Sequence, residues 1–396
     1  MNKRQTVLTL LLAIGASSCS YGVMFTMLDD FRNSFGIAES ALGFIVGIGF
    51  FSSFLGQVTL APLADRGRAR RLIVLGLGLE VIGCIGMAFG TTVITLLISR
   101  LIMGLGAGTA LPALRRVIIV ADPENFGSNL GRILSFEVAG FTAGPIVALI
   151  VAQFFGIPGP FIFLAALITA FMVVIGKLNI PETAKEFQPR ERFAIDLLKN
   201  RAIASGVLIG VALFFMIGVF DSLWVLMMDD MGSQEWMANL GISLFALPLV
   251  ILGPFGGKLV QRVGPYRAGG FGMLCGAIYM SCYGLVPSPA FMFVIFLFHS
   301  INDGFFVTGA GVAVGTSAPL ERQASAQGLL GGLEVLAAGF AASFSGVAYD
   351  HFGRTTTFIG TGAIMIALIG ASRVLAGEHW SVRNVVPKSA ISLDIV

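Results

Sequence analysis

The sequence predicts an all-α membrane protein of twelve transmembrane helices in two pseudo-symmetric six-helix bundles. Three observations predict it: about a dozen apolar runs of roughly span length, bases crowded into alternate gaps between them, and an internal repeat. An apolar run of ~20 residues at 1.5 Å per residue crosses a ~30 Å hydrocarbon core as a helix. Charged residues make up 12% of the 396-residue chain, about half the ~25% typical of soluble domains. With 56% hydrophobic residues and a mean hydropathy of +0.89, little sequence remains for a soluble domain. The net charge of +3 is dispersed over short loops, which fits membrane topology and gives no reason to expect a nucleic-acid partner.

The spans are expected at 7–28, 37–60, 72–90, 93–120, 127–152 and 159–178, then at 202–228, 237–260, 266–286, 290–316, 322–348 and 355–376. At the start, Lys3 and Arg4 precede an apolar stretch through Ala16, Ser17, Ser18 and Cys19 that imitates a secretory signal. The run continues to Leu28, too long for a cleaved segment, so it reads as the first span. Four segments follow: an N-terminal bundle over 1–178, a cytoplasmic linker over 179–201, a C-terminal bundle over 202–376 and a cytoplasmic tail over 377–396. Within the linker, Phe193, Ile195, Leu197 and Leu198 suggest an amphipathic piece on the membrane surface.

Basic residues set the orientation. Lys3, Arg4, Arg66, Arg68, Arg70, Arg71, Arg115, Arg116 and Arg132 fall on one face, with the linker bases, Lys258, Arg262, Arg267, Arg322, Arg373, Arg383 and Lys388. The other face keeps only Arg32 and Arg354, beside Asp29, Asp30, Asp229, Asp230, Glu235 and Asp350. The positive-inside rule therefore places both termini in the cytosol; the inner (plasma) membrane is the expected location.

The halves echo each other. Met27-Leu28-Asp29-Asp30 returns as Met227-Met228-Asp229-Asp230, and Leu134-Ser135-Phe136-Glu137-Val138 as Gly331-Gly332-Leu333-Glu334-Val335. Gly106-Ala107-Gly108 likewise matches Gly309-Ala310-Gly311. The order and near-constant offset of these matches indicate a repeat of half the chain, the architecture that a rocking secondary transporter requires.

Three motifs carry mechanism. The loop between spans 2 and 3 contains Leu63-Ala64-Asp65-Arg66-Gly67-Arg68-Ala69-Arg70-Arg71. An acid among bases at two helix ends forms a latch that binds a helix terminus in one conformation and releases it in another. Membrane anchoring explains Arg66, Arg68 and Arg70 but not Asp65. Span 4 carries Ser99-Arg100 followed by Gly104, Gly106 and Gly108, and span 5 carries Gly131, Gly140, Gly144 and Pro145. These motifs resemble those of the major facilitator superfamily, the last being similar to the twelve-span drug:proton antiporter branch. The resemblance implies a conformational latch at Asp65, Arg66, Arg68 and Arg70, and tight helix packing with a bend at Gly140, Gly144 and Pro145. The chain departs from the family pattern in its Ala61-Pro62 and in Ala148-Leu149, where glycines are usual. The second-half counterpart of the loop, Gly253 to Gly264, lacks the acid, so a one-sided latch is expected.

Charges inside spans indicate the chemistry. Glu80, Arg100 and Glu137 lie within first-half spans, and Asp221, His299, Asp303 and Glu334 within second-half spans. A buried carboxylate without a base beside it can exchange protons near neutral pH. His299 and Asp303 are four residues apart and share one helix face, a natural proton-handling pair. Asp303, His299, Asp221, Glu137 and Glu334 are therefore the proton-coupling candidates, Asp303 foremost, and Arg100 is a cavity charge. The resemblance adds that spans 1, 4, 7 and 10 line the cavity, which favours Arg100, Asp221, His299 and Asp303. Glu137 and Glu334 occupy matching positions, where helix-to-helix hydrogen bonding is a rival role, and Glu80 reads as structural.

The function expected is secondary active transport by alternating access, as proton-coupled efflux of an apolar or cationic small molecule by a monomer. A proton symporter importing a nutrient or organic acid would use the same acids, and an anionic substrate would move the weight to Arg100. A non-transporting sensor or scaffold is the alternative of another class. No enzyme, metal or cofactor is expected: Cys19, Cys84, Cys275 and Cys282 lack zinc spacing, and His299, His351 and His379 are scattered.

Overall fold

The computed structural model describes residues 3–191 and 193–387. Lys388 and the tail beyond it lie outside the described residues, as does the side chain of Glu235. Among the described residues there is no strand, and eleven helical stretches are long and apolar enough to cross a membrane. The longest, Leu320–Ser381, has 62 residues and as one helix would run roughly 90 Å, three times the hydrocarbon core. It breaks at Gly353, where φ 75° and ψ 170° put the backbone in a region essentially reserved for glycine. That break divides it into two crossings and gives the twelve that the sequence predicts.

In the first half, α1 (Lys3–Thr26) runs through a turn at Met27 into the short α2 (Leu28–Phe35). Next, α3 (Glu39–Leu55) continues through a wide turn, Gly56–Leu60, and a tight one, Ala61–Arg66, which Gly67 closes at φ 70°. Then come α4 (Ala69–Phe89), α5 (Val93–Ala121), α6 (Phe126–Phe155) and α7 (Pro158–Gly176). The second half comprises α8 (Arg201–Asp230), α9 (Glu235–Val263), α10 (Pro265–Leu285), α11 (Pro289–Phe306), α12 (Gly309–Ser317) and α13 (Gln323–Ala376). α11 and α12 form a single crossing, interrupted at Val307 and Thr308.

Local chemistry fixes the helix starts. Thr92 and Thr95 form a reciprocal capping box at α5, and the Asn200 side chain accepts the Ala202 amide at α8. Proline opens α7, α10 and α11, where its missing N–H costs no helical hydrogen bond. Phe44, Phe154 and Phe155 are each more than 70% exposed, a placement that suits acyl chains and not water.

The chain divides into two compact units. One comprises the chain up to Asp122, Phe136–Ile195 and Glu321–Gly332; the other comprises Pro123–Ser135, Asp196–Leu320 and the chain from Leu333 on. In the first unit, Val23, Met24, Met27, Phe31, Ile45, Leu96 and Phe161 form a fully buried cluster. There α6 packs on α1 through glycine: a Cβ on Gly140 would lie 2.1 Å from the Gly15 carbonyl oxygen, and one on Gly144 2.5 Å from the Gly22 backbone. Pro145 sits inside α6 beside Gly144 without ending the helix.

Candidate functional site

Asp65 is the penultimate residue of the tight turn after α3 and is fully buried. Its Oδ1 accepts the Ala324 amide at 3.0 Å, and its Oδ2 accepts the Ser325 amide and hydroxyl, both at 2.7 Å. Ala324 and Ser325 lie in the first turn of α13, so the carboxylate occupies the place of an N-cap side chain. The helix's positive end and charge-assisted hydrogen bonds both favour it there. Arg116 of α5 completes the arrangement, with Nε 3.2 Å from Asp65 Oδ1. The other Arg116 nitrogens donate to the Pro181 carbonyl at 3.2 Å and to Thr183 Oγ1 at 2.6 Å, which ties the linker to the same point.

One expectation is thereby corrected. The base beside Asp65 is Arg116, which the sequence suggested only as an inner-face anchor. Arg66 donates to the Arg190 carbonyl, while Arg68 and Arg70 are exposed and form no ion pair among the described residues. Local sequence favoured the neighbouring arginines, whereas the backbone turn directs Asp65 inward, away from them.

The second unit holds a buried polar pair within a box of rings. Asp303 and His299 of α11 are 1% and 0% exposed. Asp303 Oδ1 accepts from Asn302 Nδ2 at 3.1 Å, and that amide also donates to the Gly272 carbonyl. Asp303 Oδ2 lies 3.6 Å from His299 Nε2, just beyond hydrogen-bond reach, and neither atom has another partner. On its far side, His299 Nδ1 shares a hydrogen bond of 3.0 Å with the Tyr283 hydroxyl. Tyr279 stacks on the imidazole at 5.0 Å, and Phe220 and Phe245 meet it edge-on at 6.1 and 5.7 Å. Phe296 and Trp224 stack behind these rings. No lysine or arginine is paired with Asp303 among the described residues. The i,i+4 spacing exposed this pair in the sequence, but Tyr283, on α10, carried no such signal.

The remaining candidates separate. Glu137 is bound by Arg115, whose Nη2 and Nε donate to Oε1 at 2.7 and 3.0 Å. The expectation of a carboxylate without a base therefore does not hold for Glu137. Glu334 is buried on α13 and is also engaged. Asp221 is exposed on α8. Glu80, fully buried, accepts hydrogen bonds from Ser17 and Ser20 at 2.8–2.9 Å. Arg100, also fully buried, lays its guanidinium over the Tyr21 ring at 4.2 Å, and none of its three nitrogens has a hydrogen-bond partner. Gly49 makes room for it, since a Cβ there would lie 2.3 Å from Arg100 Nε.

The family model described as Major Facilitator Superfamily matches residues 10–227 and 206–385. The chain belongs to the major facilitator superfamily. Among curated relatives of this superfamily member, the multi-drug resistance efflux pump PmrA of Streptococcus pneumoniae is 25% identical over 267 residues, covering 63% of this chain and 66% of the relative. The quinolone resistance protein NorA of Staphylococcus aureus is 26% identical over 217 residues, 53% of this chain and 55% of the relative. The chain thus spans less than two thirds of the length of these relatives. Among solved structures, the human organic anion transporter MFSD10 matches with a TM-score of 0.75 at 16% identity, covering 94% of this chain and all of that one. It shares the major facilitator fold.

Proposed function

We propose that this member of the superfamily is a proton-coupled exporter of small apolar or cationic compounds, working by alternating access from the plasma membrane with both termini cytoplasmic. The observation that carries this reading is Asp303: a buried carboxylate with one unpartnered oxygen, no base paired with it, and an imidazole 3.6 Å away. Such a group gains electrostatic balance from either a proton or a substrate cation, but not from both at once. Competition for one carboxylate couples the two fluxes. The surrounding rings supply an apolar, quadrupole-bearing wall that suits an aromatic or alkyl cation, worth about 1–2 kcal/mol per well-placed desolvated contact. The efflux pump and resistance protein among its relatives support export over import.

The second part of the proposal concerns Asp65. Its contacts are three hydrogen bonds to α13 and one ion pair to Arg116 of α5, none of them covalent. They therefore stabilise one conformation and can be lost in another. Arg116 is the proposed counter-charge of this latch; Arg66, Arg68 and Arg70 contribute to anchoring. The test is uptake of an apolar dye cation into inverted vesicles or proteoliposomes under an imposed pH gradient. Accumulation driven by the gradient in the wild type, and its loss in Asp303→Asn, is the expected result. Equal gradient-driven accumulation in both proteins would rule the reading out.

A further inference from the structure

The arginines that Asp65 does not use line a cleft of their own. Arg66, Arg68, Arg70 and Arg71 from the turn and the start of α4, with Lys185 from the linker, surround an open cleft of about 550 Å³. Glu182 is the only acid in its wall, and five bases against one acid leave a formal charge of +4. That acid is already engaged: its two oxygens accept the Ala69 and Arg70 amides at 2.8 and 3.0 Å, capping α4. Among the described residues, Arg68, Arg70, Arg71 and Lys185 have no ion-pair partner. Arg66 donates to the Arg190 carbonyl of the linker, and within the linker the Gln188 side chain donates to the Thr183 carbonyl at 3.3 Å.

A second, apolar groove of about 420 Å³ adjoins this cleft and shares Arg70 and Arg71 with it. Val74 and Leu75 of α4 and Gly176 of α7 complete its lining. The α4–α7 seam faces outward here: Leu75 is 51% exposed, and Val173 and Val174 are exposed beside it. The groove is open at Gly176, where a Cβ would meet only Val74 Cγ2, at an ordinary 3.7 Å. One end of the site is therefore strongly basic and lies at the mouth of two spans. The other end is apolar and lies on their membrane face.

We infer that this pair of recesses is a binding site for an anionic phospholipid of the leaflet that meets this end of the spans. The headgroup phosphate would lie between Arg70, Arg71 and Lys185, and an acyl chain would run along Val74, Leu75 and Gly176. Guanidinium groups suit a phosphate because they bind its oxygens in a bidentate fork. Basic pockets between spans, continued by an apolar groove, match an amphiphile that is anionic at one end. Bases that served only as topological anchors would need neither the cleft nor the groove that continues it. The inference is independent of the direction and coupling of transport.

The test is native mass spectrometry of the purified full-length protein with equimolar phosphatidylglycerol and phosphatidylcholine of identical acyl chains. The wild type is expected to retain phosphatidylglycerol preferentially. Arg71→Gln and Lys185→Gln should each reduce that preference about five-fold, the effect of one base near an anionic lipid surface. Leu75→Trp, which fills the groove, should lower phosphatidylglycerol retention while the charges stay in place. Absence of a headgroup preference in the wild type would overturn the inference without reference to any variant. So would retention unchanged in both charge variants. If glycerol phosphate displaced the lipid fully and Leu75→Trp had no effect, the cleft would serve a soluble phosphate, and the lipid assignment would fail.

Discussion

Arg116 and Tyr283 show at the scale of single residues where side-chain chemistry is hidden from a linear reading. Asp65 was legible because an acid among arginines has no anchoring role, and the pair His299 and Asp303 was legible because four residues return to the same helix face. Their partners were not legible. Arg116 is 51 residues from Asp65 and Tyr283 is 16 from His299, each on another helix, and only packing brings them together. Tyr283→Phe removes the one hydrogen bond that orients the imidazole, and the ring it leaves still fills the box. The fold should persist, and the pH at which transport is half-maximal should move. An unshifted pH profile at full activity would show that Tyr283 does not act through His299. A separate outcome concerns Glu80, whose hydrogen bonds come from Ser17 and Ser20. Replacing both serines by alanine strands a buried carboxylate. It should cost about 3 kcal/mol, given ~1.5–3 kcal/mol for hydrogen bonds to a charged group, visible as a lower melting temperature in detergent.

At the scale of elements, span positions were readable because a lipid core imposes one length and one composition on every helix. The predicted gap between spans 11 and 12, at 349–354, contains the Gly353 break, though the helix continues closer to it than its sequence suggested. Less readable were the turns after α3, where a wide turn followed by a tight one rotates Asp65 inward toward α13. That rotation depends on backbone geometry, which hydropathy does not encode. Hydrogen exchange can examine this junction directly, because the Ala324 and Ser325 amides are held by Asp65. Asp65→Asn keeps the size but removes the charge, and a loss of about 2 kcal/mol corresponds to roughly thirty-fold faster exchange at these amides. Unchanged exchange would mean that α13 does not rely on Asp65. The α1–α6 contact responds to volume instead. Gly144→Leu forces a side chain into the Gly22 backbone and should destabilise by at least the ~1–3 kcal/mol of an overpacked core, whereas Pro145→Ala should be milder.

At the scale of the whole molecule, the repeat of half the chain, the twelve crossings and the family match converge on one architecture. What the repeat does not convey is asymmetry. Asp65 exists only in the first half, and the carboxylate of Asp303 beside the ring-lined His299 only in the second. In the proposed cycle, the first governs which conformation is populated and the second determines what is exchanged for a proton. The two functions should then separate by mutation: Asp65→Asn should change the balance of conformations while leaving proton exchange at Asp303 intact, and Asp303→Asn should do the reverse.

The most direct measurement of proton–substrate competition is proton release on substrate binding. Purified protein in weakly buffered detergent solution, with a pH-indicator dye, is titrated with an apolar cation such as tetraphenylphosphonium below neutral pH. The wild type should acidify the solution as the cation binds, and Asp303→Asn, which lacks the counter-charge, should bind more weakly and without acidification at saturating cation. Identical proton release from both proteins, or binding by the wild type with none, would contradict the assignment of Asp303 as the shared site.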